Sequence, residues 1–207
     1  MKRRSYTAIE RQRTVEAGRE RIITAARDLL EDVDAEGFSI DAVARRAGVA
    51  RMTVYNQFES KAGLLEALFD SLALRGPLGS MAEIFAQPDT LAALDDYVAL
   101  FGKFWTMSRR THRRLRAAAL HDDELAAAIA ERNERRRRGV NELVRRLGDQ
   151  GRPVVPPHEV ANVIFVMLAF DTFDALAGEQ RLPTDVVPVV QQLVRGVLGL
   201  PIESTTR

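Results

Sequence analysis

Apolar residues recur along this chain at helical spacing, with no stretch at the two-residue period of a strand. Ile22, Ala26, Leu29, Leu30 and Val33 repeat at i, i+4, i+7, i+8 and i+11, the stripe of an amphipathic helix, and Gly37 suits the break after it. Ile40, Val43, Ala44 and Ala47 form a second, shorter stripe, with Ser39 placed as its N-cap. Gly48 and Val49 make a tight turn. A third short helix carries Val54 and Phe58 inward, and Ser60 caps a fourth with Leu64, Leu65, Leu68, Phe69 and Leu72 on one face.

Gly76, Pro77, Gly79 and Pro88 loosen the connection that follows. Leu94, Val98, Phe101 and Trp105 then stripe a long helix, and a basic helix spans 109–120. Asp122, with Asp123 and Glu124 in the first turn, opens another that ends near Gly148 or Gly151, its acids complementing the helix dipole. After a proline-rich loop at 152–157, residues 158–178 and 185–198 predict the last two helices, Pro188 fitting only the first turn of the second. The predicted class is all-α.

Composition narrows the possible chemistry. A chain of 207 residues builds one sizeable core, or a small domain beside a larger one. The net charge of +1 says nothing in favour of nucleic acid, but the first 21 residues do. Lys2, Arg3, Arg4, Arg11, Arg13, Arg19 and Arg21 stand there against Glu10, Glu16 and Glu20, an excess suited to phosphate. The absence of cysteine excludes disulfides, thiolate metal sites and cysteine nucleophiles. No nucleophile elbow or phosphate loop occurs, and His112, His121 and His158 lack ligand spacing, so no enzyme, cofactor or metal is expected. The basic start is followed by no apolar h-region, and the longest apolar run, Val163–Phe170, is far short of the ~20 residues that cross a bilayer. These features predict a cytoplasmic protein without a membrane partner.

Two short helices joined by a glycine turn have helix-turn-helix geometry. The exposed face of the second offers Arg51, Thr53, Asn56 and Gln57, side chains able to reach base edges or phosphates. The run Gly37-Phe38-Ser39-Ile40-Asp41-Ala42-Val43-Ala44-Arg45-Arg46-Ala47-Gly48-Val49, with Tyr55-Asn56-Gln57-Phe58-Glu59-Ser60-Lys61 and Leu64, resembles the signature of the TetR family of transcription regulators. The resemblance covers Arg19–Phe69 and fixes aromatic, glycine, lysine and apolar positions together. It implies that Tyr55 and Lys61 contact phosphates of double-stranded operator DNA, and that Arg51, Met52, Thr53 and Asn56 face the groove. Ser39 and Gln57 complete the candidate DNA-binding set. The chain departs from the family at Ala50, often a capping Ser, at Met52, often small, and at Gln57, often His or Tyr. Expected domains are a basic arm at 1–18, which either tracks a minor groove or is disordered, a three-helix DNA-binding domain at 19–65, and a helical ligand-binding and dimerisation domain at 66–207.

In that second domain the 158–178 segment shows two apolar faces, Val160, Ile164, Met167 and Leu168 on one, Phe165, Val166, Ala169, Phe173 and Leu176 on the other. A helix apolar nearly all round must be covered on both sides, and a second subunit is the expected cover. Dimer candidates are Phe173, Leu176, Val190, Leu193, Val194 and Val197; the resemblance also implies a homodimer through the last two helices. The helix from Asp122 interrupts its apolar stripe at Asn133 and Arg136. Either Arg136 snorkels outward or pairs with Asp171 or Asp174, or Asn133 and Arg136 orient the acidic or polar end of a small-molecule effector among walls of Phe101, Phe104, Trp105 and Phe165.

Overall fold

The computed structural model describes residues 2–32, 38–151 and 156–200. Among them all regular structure is helical: α1 (Lys2–Glu31), α2 (Ile40–Ala47), α3 (Arg51–Phe58), α4 (Lys61–Arg75), α5 (Met81–Ala86), α6 (Thr90–Met107), α7 (Arg109–Ala119), α8 (Asp123–Asp149), α9 (Pro157–Met167), α10 (Phe170–Ala177) and α11 (Val187–Val197). Short 3₁₀ turns at Pro77–Ser80 and Pro183–Val186 precede α5 and α11. The expected break at Val33–Gly37 and most of the proline-rich loop lie outside the described residues.

The chain forms two compact units, residues 1–71 with 113–128, and residues 72–112 with 129–207. Residues 113–128, assigned by the sequence to the second domain, thus belong with the helix-turn-helix, and α4, α7 and α8 each contribute to both units. The separate arm at 1–18 does not appear as such. Lys2–Glu31 is one helix of 30 residues, because the segment holds no proline and Gly18 alone is too weak a breaker to stop it. In the first unit, Ile22, Ala26, Val43, Val54, Leu64, Leu65 and Leu68 are buried, as are Leu115 and Leu125 from the later segment.

The second unit is built around Leu94, Tyr97, Val98, Phe101, Leu143, Leu147, Ile164, Phe173, Val190 and Val194. Asp95 holds α11 against α6 by accepting from Arg195 at 2.5 Å, while its backbone carbonyl accepts from Gln191 at 3.0 Å. Gly139 lets α8 approach α6 closely, since a Cβ there would stand 2.2 Å from the Tyr97 hydroxyl.

The expected single helix at 158–178 is broken. After Met167 the chain turns at Leu168, takes an extended conformation at Ala169 (φ −68°, ψ 150°), and restarts as α10, bent by 52° from α9. Side chains satisfy the carbonyls freed by the break: the Trp105 indole N–H donates to Leu168 O at 3.1 Å, and the Thr172 hydroxyl to Val166 O at 2.6 Å. The two apolar faces are therefore shared between two short helices. Val160, Ile164, Leu168 and Phe173 turn into the core, and Val166 stays 59% exposed. No single helix among the described residues is long and apolar enough to cross a membrane.

Candidate nucleic-acid interface and effector site

Local signals set up the helix-turn-helix. The Ser39 hydroxyl accepts from the Ala42 amide at 3.2 Å and starts α2, keeping its own O–H available to donate. Gly48 ends α2 in the left-handed region (φ 66°), where its N–H reaches Ala44 O and Arg45 O, and the Val49 amide joins Ala44 O at 3.0 Å. Ala50 gives α3 no side-chain cap. The Glu59 amide closes α3 on Tyr55 O at 2.7 Å, with Glu59 itself at φ 65°. Ser60 caps α4 through Gly63 N–H at 3.0 Å. Only glycine fits at position 63, where a Cβ would stand 2.1 Å from Phe58 O.

This frame buries Val54 and Phe58 and leaves Arg51, Met52, Thr53 and Asn56 exposed along α3, Met52 at 63%. Tyr55, Gln57 and Lys61 are half-buried. The two cations expected to meet DNA already hold carboxylates. Arg51 donates to Asp41 at 3.1 Å and to the Tyr55 hydroxyl at 3.3 Å, and that hydrogen bond, with the Asp41 charge, raises its pKa further. Lys61 is hydrogen-bonded to Asp122, and Glu124 stands 3.6 Å away.

Asp122 starts a helix, as its place in the sequence predicts: the Leu125 amide donates to it at 3.1 Å. Nothing in its spacing tells which cation it also meets. In the sequence Arg19 is one cation of a basic run. Its guanidinium lies 4.4 Å from the Phe58 ring centre and donates to Gln57 O at 3.2 Å, closing the end of α3. The available signal was its place one turn before Ile22 and Ile23, on the buried stripe of α1.

In the second unit, Phe101, Trp105, Arg136 and Phe165 come together. Arg136 is 7% exposed, so it does not snorkel into water. Its guanidinium carbon lies 4.6 Å from the Phe165 ring centre and 5.8 Å from those of Phe101 and Trp105, within cation–π range. Asp174 accepts from Arg109 at 2.6 Å. Phe104 joins the cluster 4.9 Å from Trp105, and Asn133 is half-buried one turn before Arg136. His112 completes the aromatic group, 4.7 Å from Trp105 and 5.4 Å from both Phe104 and Phe170, although its spacing had suggested no role. Burial pushes the Tyr97 phenol up, the Arg136 charge pulling it partly back, and its hydroxyl donates to Arg136 O at 3.3 Å.

Three expected dimer residues need correction. Phe173, Val190 and Val194 are fully buried within their own chain, so they have no surface to give a partner. Their stripe packs inward because α10 and α11 cover the same core as α6. Leu176 and Val197 are partly buried, and Leu193 is 44% exposed.

A glycine turn joining two short helices, the second with an exposed polar face, is the DNA-reading element of a helix-turn-helix transcription regulator, here within an all-helical chain of two units. Residues 22–68 match the family model described as bacterial regulatory proteins, tetR family. It is 27% identical over 165 residues to the HTH-type transcriptional regulator EthR of Mycobacterium tuberculosis, across 77% of this chain and 76% of that one. The fold is shared with NalD of Pseudomonas aeruginosa, the secondary repressor of the MexAB-OprM multidrug efflux pump (TM-score 0.67, 20% identity, 93% of this chain and 100% of that one). It is also shared with the transcriptional regulator FadR of Bacillus subtilis, solved with stearoyl-CoA (TM-score 0.66, 17% identity, 84% and 96%).

Proposed function

We propose that this regulator is a repressor which binds a near-palindromic operator as a homodimer in the cytoplasm and is released by a small amphipathic effector with an acidic end. Arg51, Met52, Thr53 and Asn56 read the groove, and Ser39, Tyr55, Gln57 and Lys61 hold the backbone. The observation that carries the effector reading is the buried Arg136 guanidinium facing the rings of Phe101, Trp105 and Phe165. Its charge favours acids over cations, and Asn133 lies beside it on α8. The related FadR bound to stearoyl-CoA and the related repressor NalD support the same kind of ligand and the same direction of control.

For the dimer, Val163 and Val166 lie one turn apart on α9, and Val189 and Leu193 one turn apart on α11, all exposed. They are the apolar surface available for a second copy, with Leu176 and Val197 beside them. Effector binding weakens DNA binding only through a difference in affinity between two arrangements, and α4, α7 and α8 are the elements that run in both units. The test follows Trp105 fluorescence during titration with acidic and cationic hydrophobic compounds, alongside release from a selected inverted repeat. Acids quench Trp105 and release DNA from wild type but not from Arg136→Leu. Release by cationic compounds alone, or unchanged acid binding by Arg136→Leu, refutes the effector reading. Selection from random DNA that enriches no dyad refutes the operator reading.

A further inference from the structure

The pairing of Lys61 bears on how tightly the protein holds DNA. Its ammonium is hydrogen-bonded to Asp122, with Glu124 Oε2 at 3.6 Å, and the Lys61 and Asp122 side chains are only 19% and 18% exposed. A pair so sheltered is screened less by salt than the Arg51–Asp41 pair, whose side chains are each 57% exposed. The carboxylate is also fixed in place, because its second oxygen accepts the Leu125 amide at 3.1 Å. Partial burial raises the Asp122 pKa, but the Lys61 hydrogen bond and the Leu125 amide overcome this and hold the carboxyl below its usual range. Asp122 is therefore charged wherever DNA binding is measured near neutral pH.

We propose that Asp122 is an intramolecular competitor of the DNA phosphate for Lys61, so that its charge sets the affinity of this regulator for DNA of any sequence. The inference rests on the reading of α3 and the start of α4 as the DNA-binding surface. A phosphate that reaches Lys61 must displace or share Asp122, and it meets the repulsion of that carboxylate. The ammonium has three donors, which permits sharing but does not remove the repulsion. A lysine already neutralised by its own protein adds little to the displacement of counterions from DNA, so the wild-type salt dependence carries only part of the Lys61 charge.

Asp122→Asn separates the charge from the cap, since asparagine also caps helices well. Affinity for a random-sequence duplex of about 30 base pairs is measured by fluorescence anisotropy across a series of salt concentrations. Asp122→Asn binds about five- to tenfold more tightly at low salt, and its log–log salt dependence steepens by a fraction of the ~0.9 that a fully freed Lys61 contributes per phosphate. Asp122→Asn gains less in the Lys61→Met background than in wild type, because there it relieves only repulsion and frees no ammonium. Glu124→Gln gives a smaller gain in the same direction. Asp122→Ser, which keeps a capping oxygen, repeats the result if the asparagine variant folds poorly. Unchanged or weaker DNA binding by folded Asp122→Asn and Asp122→Ser overturns the proposal while leaving the DNA-binding assignment intact. A wild-type protein that binds no DNA overturns both.

Discussion

Gly139→Ala tests whether the α6–α8 contact is as rigid as its geometry indicates. The new Cβ would stand 2.2 Å from the Tyr97 hydroxyl oxygen, 2.9 Å from Tyr97 Cζ and 3.3 Å from Phe85 Cζ. Tyr97 has little room to retreat, being 1% exposed and set edge-on between Phe85 at 5.6 Å and Phe101 at 5.0 Å. Forcing a methyl into such a site costs about 1–3 kcal/mol. Displacing the hydroxyl from Arg136 O adds up to about 1 kcal/mol, and the better helix propensity of alanine returns about 1 kcal/mol. The net expectation is a loss of about 1–3 kcal/mol, which for a chain of this size lowers Tm by about 2–4 °C per kcal/mol. Urea denaturation followed by Trp105, the only tryptophan, reports on the unit that contains the contact. Tyr97→Phe removes the nearest atom, so the double variant loses about 1 kcal/mol less than the sum of the two single ones. Cζ at 2.9 Å keeps the relief partial. If Gly139→Ala is as stable as wild type, or if the two changes simply add, Tyr97 is free to move and the argument fails.

Arg19→Ala removes the cap on α3 and the stacking on Phe58, and should cost about 1–2 kcal/mol of stability in the first unit with weaker DNA binding. Arg19→Lys, which keeps the charge but not the planar fork, should recover only part of either in melting and anisotropy measurements. Glu59→Gly relieves a positive φ and should stabilise the protein by about 1 kcal/mol in thermal melts, since Glu59 is exposed. Acidification separates Asp122→Asn from wild type. The folded Asp122 pKa lies below the ordinary 3.8, so its stabilising contribution is complete above the unfolded pKa and is lost as pH falls through the folded one. Wild type should therefore lose more stability than Asp122→Asn between about pH 5 and acid unfolding, measured by circular dichroism.

The helix-turn-helix was legible because local chemistry specifies it. Ser39, Gly48, Ser60 and the Val54–Phe58 spacing each act within a few residues, and the structure uses each for that purpose. The grouping of Phe101, Trp105, Arg136 and Phe165 was legible for a different reason, since a polar residue inside an apolar stripe points wherever the stripe points. The break between α9 and α10 was not legible. No proline or glycine marks Leu168–Ala169, and the groups that stabilise the break include the Trp105 indole, 63 residues away in sequence. Phe173, Val190 and Val194 dropped out of the dimer set through the same dependence on tertiary context. Val190, Val194 and Phe173 have the periodicity of any apolar face, and periodicity does not say whether the cover is the same chain or another.

The positions of Asp41 and Asp122 show why the pairing of Arg51 and Lys61 was also hidden. Asp41 lies in the first turn of α2 and Asp122 caps α8, where a carboxylate is favoured whether or not a cation is near. Each then meets a basic residue of the proposed DNA-binding set, Arg51 at 57% exposure and Lys61 at 19%. The helix start fixes the acid, so the strength of each pair depends mainly on how sheltered the cation is. Arg51 can swing to a base at little cost, because water and salt already screen its partner. Lys61 cannot leave as freely, and under the proposal the energy of separating it from Asp122 is subtracted from every DNA complex, specific or not. On the proposed reading of this surface, sequence discrimination belongs to the loosely held arginine, and overall affinity to the tightly held lysine.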